Sequence, residues 1–239
     1  AITAHYALPV FADVDPVSFQ IDPAKAAAAI TSATKLLLPV HIGGSPCDID
    51  GIAQLSQTRK IPLIEDACQA PGAAYRGSPV GTKGIGGCFS FQASKNLTSG
   101  EGGAVVTNDE AFATQVFNFH TPTGAKPGAS WGRAANFRLT EFQAALLLAQ
   151  YARFNAQQDT RNANATHLAS MLAKIPGIAP ARLEGTGSRS AWHLFMARYD
   201  STKFAGLSRT KFLQALAKEG VVASGGYTAL KAKIGRAHV

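Results

Sequence analysis

Two polar side chains that follow strand-length apolar runs are the first candidates for chemistry. Asp66 closes the run at 62–64, and Lys95 follows the run at 88–91. Ligands of α/β folds gather beyond the carboxyl ends of strands, so both residues lie where a site is expected. A carboxylate at the end of a buried strand needs a cation or hydrogen-bond donors, and a protonated ring nitrogen is one such partner. A lysine whose pKa is lowered by burial or by another cation can form a Schiff base with an aldehyde.

The segment around Lys95 suits close contact with a ligand, but simpler explanations stay open. The turn Gly100-Glu101-Gly102-Gly103 lets the backbone approach a ligand. It is not a P-loop, and neither Ser90 nor Ser94 lies in a G-x-S-x-G or S-x-x-K motif. On residue type alone, Lys95 also fits an ordinary solvated lysine, Asp66 a strand-end cap and Ser90 a small residue inside a strand.

Short apolar runs and helix signals predict the elements that position these side chains. Runs that are mostly apolar on both faces predict a buried sheet flanked by helices, and they lie at 36–40, 62–64, 88–91 and 104–106. Residues 52–60 have helical character, so 35–65 is expected to form a β-α-β crossover. Asp22 followed by Pro23 predicts the start of a helix that ends near Ile30.

The second half of the chain predicts a long helix and a smaller α+β unit. Thr140 and Gln143 resemble a capping box, and an apolar stripe follows at Phe142, Ala145, Leu146 and Ala149. This helix is expected to reach as far as Lys174 and to contain a domain junction, which gives domains at 1–160 and 161–239. Residues 192–199 predict a strand, and Ser208 predicts the cap of a helix that ends at Gly220.

Composition argues against several classes of protein. The 239 residues are 46% hydrophobic and 16% charged, as in ordinary globular chains. The net charge of +8 comes from scattered Lys and Arg, so nucleic-acid binding is not expected, while an anionic ligand remains open. No long apolar run or signal peptide predicts membrane insertion or secretion. Three cysteines without a C-x-x-C pair predict reduced thiols in a cytoplasmic protein and no metal site.

Three ordered strings of the chain occur together in one enzyme family. They are Pro39-Val40-His41-Ile42-Gly43-Gly44-Ser45-Pro46-Cys47-Asp48-Ile49-Asp50, Ile64-Glu65-Asp66-Ala67-Cys68-Gln69-Ala70 and Ser90-Phe91-x-x-Ser94-Lys95-Asn96-x-x-x-Gly100-Glu101-Gly102-Gly103. With compatible spacing over residues 9–227, the chain resembles the DegT/DnrJ/EryC1/StrS family of sugar and cyclitol aminotransferases. Strings at 199–200, 204–209 and 219–221 resemble its branch of glutamine-dependent scyllo-inosose aminotransferases and aminohydroxybenzoate synthases.

The resemblance implies a fold and a cofactor. The fold is the α/β fold type I of pyridoxal 5'-phosphate (PLP)-dependent transferases, similar to aspartate aminotransferase. A partial PLP-binding large domain with a mostly parallel sheet between helices is expected, together with part of a small α+β C-terminal domain.

Residue roles also follow from the resemblance. Lys95 is expected to form the Schiff base with PLP and then to move the proton between substrate and cofactor. Asp66 is expected to keep the pyridine nitrogen protonated, so that the ring acts as an electron sink. Gln69 is expected to contact the ring-side oxygen and Ser90 the phosphate. Some relatives carry histidine at the lysine position and dehydrate their substrate, so Lys95 favours transamination.

The implied reaction transfers an amino group from glutamate or glutamine to a keto-sugar or keto-cyclitol, with ping-pong kinetics. Asn136 and Arg138 match an N-x-R segment that approaches the neighbouring subunit's cofactor, which implies a homodimer. A PLP-dependent dehydratase and a non-catalytic cofactor-binding paralogue or regulator are the alternatives. Family members begin before Ala1 and continue past Tyr227, so catalysis is expected to need further segments, and residues 233–239 match nothing in the family pattern.

Overall fold

The chain contains both helices and short strands, as the apolar runs and helix signals predict. The structure is a computed structural model that describes residues 2–3, 6–120 and 136–227. Its elements are α1 (Pro23–Ala29), α2 (Ile49–Arg59), β1 (Ile64–Asp66), β2 (Ala74–Tyr75), β3 (Ser78–Pro79), β4 (Gly86–Ser90), β5 (Gly103–Val106), α3 (Glu110–His120), α4 (Glu141–Leu172), β6 (Ile178–Pro180), β7 (Ala197–Tyr199) and α5 (Arg209–Lys218). The expected tail at 233–239 lies outside the described residues.

Three of the predicted apolar runs contribute β1, β4 and β5 to a mixed sheet with the order β1-β4-β5. β1 and β4 are parallel, and β4 and β5 are antiparallel. The extended segment 37–40 runs parallel to β1 through bridges from Leu37 to Leu63 and from Val40 to Asp66. Because α2 connects this segment to β1, the predicted β-α-β crossover is confirmed.

Apolar side chains on one side of the crossover form the largest core cluster. Its buried members are Ala26, Leu37, Cys47, Ile49, Ile52, Ile61, Leu63 and Tyr75. The prediction of burial on both faces was wrong for β5, where Val105 and Val106 are 41% and 39% exposed, and for Leu36 and Leu38, which are each 39% exposed. β5 is the last strand in the described sheet order, so it has no strand on its other side there.

The helix starts follow from local capping chemistry. Asp22 accepts hydrogen bonds from the first backbone N–H groups of α1, and Ser208 does the same for α5. At the start of α4, the Thr140 N–H donates to Gln143 Oε1 at 3.0 Å, and the Gln143 N–H donates to Thr140 Oγ at 3.3 Å. These reciprocal bonds confirm the predicted capping box.

The predicted apolar stripe of α4 does not face the core. Phe142 is 91% exposed and Leu146 is 45% exposed. Leu147 and Phe154 pack instead against the segment that carries Phe91 and Leu97. The periodicity predicted the helix correctly, but the face of α4 that packs against the rest of the protein is not the predicted apolar stripe.

The chain divides into two compact units. The larger contains 12–167 and 181–196; the smaller contains 1–11, 168–180 and 197–239. In the smaller unit β6 and β7 form an antiparallel pair, and Tyr199 stacks on Phe212 at 4.6 Å. The expected strand at 192–199 is limited to β7, because 192–196 belongs to the larger unit as a loop. The division at residue 160 stays a prediction. No helix among the described residues is both long and apolar enough to cross a bilayer.

Candidate active site

Asp66 is the last residue of β1, and its backbone is hydrogen-bonded to the neighbouring segment 39–41. Its N–H donates to the Pro39 carbonyl at 2.9 Å, and its carbonyl accepts the His41 N–H at 3.0 Å. The half-buried side chain accepts the Cys68 N–H at Oδ1, at 3.0 Å. No lysine, arginine or histidine of the described residues forms an ion pair with this carboxylate. The site therefore has a fixed anion that suits a cationic group of a ligand.

Lys95 lies on a loop that is anchored at both ends. The Lys95 N–H donates to the Gln92 carbonyl and the Ser99 N–H to the Phe91 carbonyl, each at 2.9 Å. Next to Lys95, the Asn96 amide donates to the Ala191 carbonyl at 2.6 Å. The Lys95 side chain is partly exposed, and its ammonium forms no ion pair within the described residues.

The Cys68 thiol is influenced by both Asp66 and Lys95. Burial, together with a hydrogen bond to the Asp66 carboxylate and its charge, raises the pKa of the Cys68 thiol to about 12. The Lys95 ammonium is also near enough to oppose that rise. The thiol lies 3.6 Å from the Cys88 carbonyl oxygen on the adjacent strand. The two residues predicted from the strand ends therefore both lie within electrostatic range of this thiol.

Gln69 and Ser90 are positioned at the same edge of the sheet. Gln69 Oε1 accepts the Gly43 N–H at 2.7 Å. Ser90 ends β4, which runs parallel to β1, and its Oγ accepts the Gln92 N–H at 3.3 Å. Gly44 has φ +87°, and a Cβ there would lie 2.7 Å from the Gln69 carbonyl oxygen, so the turn fits closely against Gln69.

Asn136 and Arg138 are exposed, and neither pairs with Asp66 or Lys95 among the described residues. Leu139 lies close to the glycine turn, since a Cβ on Gly102 would be 2.7 Å from its side chain. The role of these two residues toward a second subunit stays a prediction.

His193 is a site residue that sequence reasoning missed. Its loop is bonded to the turn at Gly44, because the Ala191 N–H donates to the Gly44 carbonyl at 2.8 Å. Burial lowers the pKa of His193, and the nearby Lys95 and Arg161 charges lower it further. Nearly a hundred residues separate His193 from Lys95 in the sequence, so no local pattern could reveal their proximity.

A buried hydrogen bond between a histidine and a carboxylate was also missed. His41 Nε2 lies 3.0 Å from Glu65 Oε2, and both side chains are 0% exposed. The His41 Nδ1 accepts the Cys47 N–H at 3.1 Å, so Nε2 is the nitrogen that carries the proton toward Glu65. Glu65 also accepts three backbone N–H groups, from Gly81, Lys83 and Gly84. Burial favours the neutral acid, but the His41 and backbone hydrogen bonds outweigh it and hold the Glu65 pKa below its ordinary value.

Fold and candidate site together define an α/β protein with a lysine and a carboxylate beyond the carboxyl ends of its parallel strands. The model of the DegT/DnrJ/EryC1/StrS aminotransferase family matches residues 1–233, and the chain belongs to this family.

Relatives agree with this assignment. An L-glutamine:2-deoxy-scyllo-inosose aminotransferase of Streptomyces lividus is 40% identical over 77% of this chain and 46% of its own length. Among solved structures, S. venezuelae DesV in complex with a ketimine intermediate has a TM-score of 0.82 and 33% identity, over 92% of this chain and 57% of DesV. A 3-amino-5-hydroxybenzoic acid synthase gives the same TM-score, 0.82, and 33% identity, over 92% and 58%.

The comparisons confirm the predicted family and its fold type I. The likeness to an inosose aminotransferase and to a 3-amino-5-hydroxybenzoic acid synthase agrees with the predicted branch. The chain spans about half the length of the curated relatives it matches, between 46% and 55%.

Proposed function

We propose that the protein is a PLP-dependent aminotransferase that moves an amino group from glutamine or glutamate to a keto-cyclitol or keto-sugar. The observation that carries the proposal is that the Lys95 ammonium and the Asp66 carboxylate both influence the Cys68 thiol, and that neither forms an ion pair within the described residues. A ligand with an aldehyde and a basic ring nitrogen complements both groups.

The residues present fit PLP. Asp66 offers a half-buried carboxylate to the pyridine nitrogen, and Lys95 offers an amine to the aldehyde. Ser90 Oγ accepts a backbone N–H, which leaves its O–H to donate to the phosphate. Because Gln69 Oε1 is bonded to Gly43, its Nε2 is the atom that would donate to the ring-side oxygen. When bound, PLP supplies an electron sink for the carbon next to the transferred nitrogen.

Lys95 and Asp66 have different tasks in the proposed reaction. The Lys95 amine anchors the cofactor and, once released by the donor, carries the proton between carbon atoms of substrate and cofactor. Asp66 holds a proton on the ring nitrogen. The pKa of His193 is lowered by burial first and then by Lys95 and Arg161, so a neutral imidazole borders Lys95 without adding a further positive charge.

The donor and acceptor are proposed from the relatives. The Streptomyces lividus relative is named for L-glutamine and 2-deoxy-scyllo-inosose, as are two further relatives for L-glutamine and 3-amino-2,3-dideoxy-scyllo-inosose. Glutamine and a keto-cyclitol are therefore the first pair to test, with a keto-sugar second. The three free thiols support the proposed cytoplasmic location.

A homodimer with shared sites is part of the proposal. Asn136 and Arg138 lie on an exposed segment with Phe137, which is 65% exposed, and Phe142 at the start of α4 is 91% exposed. Exposed apolar side chains beside polar ones are typical of protein interfaces, and a second copy of the chain is the proposed occupant.

Borohydride reduction of the whole protein with PLP tests the anchor. A phosphopyridoxyl group is expected on the peptide that contains Lys95, and the Lys95→Ala variant should lack it. Lys83→Ala is the matched control, since Lys83 pairs with Asp50 at the surface and should leave the label in place. Absence of any label from the whole protein would overturn the PLP proposal.

Amino transfer is measured separately with glutamine labelled with ¹⁵N in its α-amino group. Label is expected in the aminated keto-cyclitol, with one keto acid released for each amine formed. Turnover of the acceptor without label would favour dehydration, and cofactor binding without turnover would favour a regulator.

A further inference from the structure

A buried glutamine, Gln20, is hydrogen-bonded to both polar backbone groups of Ile42. The Ile42 N–H donates to Gln20 Oε1 at 3.1 Å, and Gln20 Nε2 donates to the Ile42 carbonyl oxygen at 3.1 Å. Gln20 is only 1% exposed, so both bonds lie away from competing water. The side-chain amide therefore pairs with Ile42 as a neighbouring strand would.

A turn that begins at Asp15 fixes the direction of the Gln20 side chain. Asp15 Oδ1 accepts the Ser18 N–H at 2.7 Å, and the Asp15 N–H donates to the Gln20 carbonyl oxygen at 2.8 Å. Phe19 adopts φ +62°, a left-handed conformation that is costly for a bulky residue. Such a conformation persists only where the surrounding contacts determine it, and here it directs a buried amide toward Ile42.

The turn at 42–44 holds the Gln69 side chain. The Gly43 N–H donates to Gln69 Oε1 at 2.7 Å, so a shift of the turn moves that contact. Gly43 and Gly44 have φ angles of +67° and +87°, and glycine has access to many other conformations when it is not held. The bonds from Gln20 therefore restrict a flexible glycine pair beside a candidate cofactor residue.

The same turn supports the loop beside Lys95. The Ala191 and Leu194 N–H groups of this loop donate to two carbonyl oxygens of the turn, at 2.8 and 3.0 Å. The Ala191 carbonyl oxygen in turn accepts the amide of Asn96, the residue next to Lys95, at 2.6 Å. Gln69 and the segment that carries Lys95 thus share one support.

We propose that Gln20 is a positioning residue that fixes the turn at 42–44, so that the Gln69 side chain meets the ring-side oxygen of PLP. The inference rests on the proposed function. Gln20 is assigned no contact with the cofactor and acts through the bond between Gly43 and Gln69. A contact that is fixed before the cofactor binds lowers the cost of ordering the site.

Hydrogen exchange, measured by mass spectrometry, tests the turn without cofactor. In the wild-type apoprotein, 42–44 should exchange at least about tenfold more slowly than the exposed segment 221–226. Gln20→Met removes the amide at similar side-chain length, and it should speed exchange at 42–44 more than at β4. Rapid exchange at 42–44 in the wild type would overturn the inference, whether or not the variant folds. The absence of any extra effect at 42–44 in the variant would also overturn it.

PLP binding tests the consequence for the site. Gln20→Met should raise the dissociation constant about 2- to 10-fold, as loss of one hydrogen bond predicts. A donor to the ring-side oxygen favours negative charge there, so its displacement should move the pH midpoint of the visible absorbance upward. Gln69→Met should move this midpoint further in the same direction. Tyr75→Phe, the matched control, removes a buried hydrogen bond to Asp48, so it should lower stability and leave both PLP measurements unchanged.

A double variant separates positioning from a general effect on stability. If Gln20 acts through Gln69, Gln20→Met should hardly shift the midpoint in the Gln69→Met background. An equal shift in both backgrounds contradicts the inference. If the wild-type protein is labelled at Lys95 but Gln20→Met keeps the wild-type affinity and midpoint, the positioning role is wrong and the aminotransferase proposal stands. If the wild-type protein does not bind PLP, both fall.

Discussion

Replacement of Glu65 by glutamine should destabilise the fold far more than its small change in shape suggests. Glu65 is 0% exposed and accepts four donors. Lys83 and Gly84 donate to Oε1, at 2.7 and 3.1 Å, and His41 and Gly81 serve Oε2, at 3.0 and 2.8 Å. A glutamine has one acceptor oxygen, so its NH₂ group must face one of these two pairs of donors in either orientation.

The number of donors left without an acceptor sets the expected loss of unfolding free energy. Two buried donors lose their acceptor, and each unsatisfied group costs about 1–3 kcal/mol, so the expected loss is about 2–6 kcal/mol. A change of tautomer at His41 does not relieve it, because a proton on Nδ1 would face the Cys47 N–H.

Urea unfolding at pH 7, followed by circular dichroism, measures the free energy of unfolding of Glu65→Gln against the wild type. Asp50→Asn is the matched control, because Asp50 pairs with Arg76 and Lys83 but its side chain is 41% exposed. Exposed ion pairs contribute about 0–1 kcal/mol, so the control should change little. If Glu65→Gln costs no more than Asp50→Asn, the buried hydrogen-bond network does not stabilise the fold as argued.

Three further outcomes are expected. The pKa of Glu65 in the folded protein lies below its ordinary value of 4.5, so the ionised carboxylate stabilises the fold above that pH, and this stabilisation is lost as the pH falls through the folded value. The difference in unfolding free energy between wild type and Glu65→Gln should therefore shrink when it is measured from pH 7 to pH 3. Gly44→Ala should lower the free energy of unfolding by about 1–3 kcal/mol more than Gly77→Ala, as measured by matched denaturation curves. The two glycines have similar φ angles, +87° and +83°, but of the two only Gly44 has atoms within 4 Å of the added Cβ. Lys95→Ala and Asn136→Ala chains should each be inactive, but an equal mixture should recover about a quarter of wild-type activity if a homodimer shares its sites. Half of the dimers in that mixture contain one chain of each kind, and each of these has one intact site. No recovery despite chain exchange would place Asn136 in the site of its own subunit.

Local signals in the sequence predicted local structure well. Asp22, Thr140 and Ser208 cap helices because each needs only a side-chain oxygen within three residues of the N–H groups it serves. The exposure of Phe142 and Val105 was not predictable in this way. Periodicity shows that a helix or strand has an apolar face, but the presence of a neighbour against that face depends on distant parts of the chain.

The candidate site shows the same limit. Asp66 and Lys95 could be selected because each follows an apolar run, and parallel strands bring such positions to one edge. His193 reaches that edge through hydrogen bonds from its loop to Gly43 and Gly44, which have no counterpart in its own sequence neighbourhood. His41 and Glu65 are 24 residues apart, and only the parallel pairing of their segments brings them into contact.

The contrast between two adjacent carboxylates gives the strongest physical argument for a cationic ligand. Consecutive residues of β1 point to opposite faces, so Glu65 enters the core and Asp66 remains at the edge. Four donors offset the cost of burying Glu65, whereas among the described residues the Asp66 carboxylate interacts with Cys68 and forms no ion pair. A protonated pyridine nitrogen would give the half-buried Asp66 carboxylate the cationic partner that a buried anion needs.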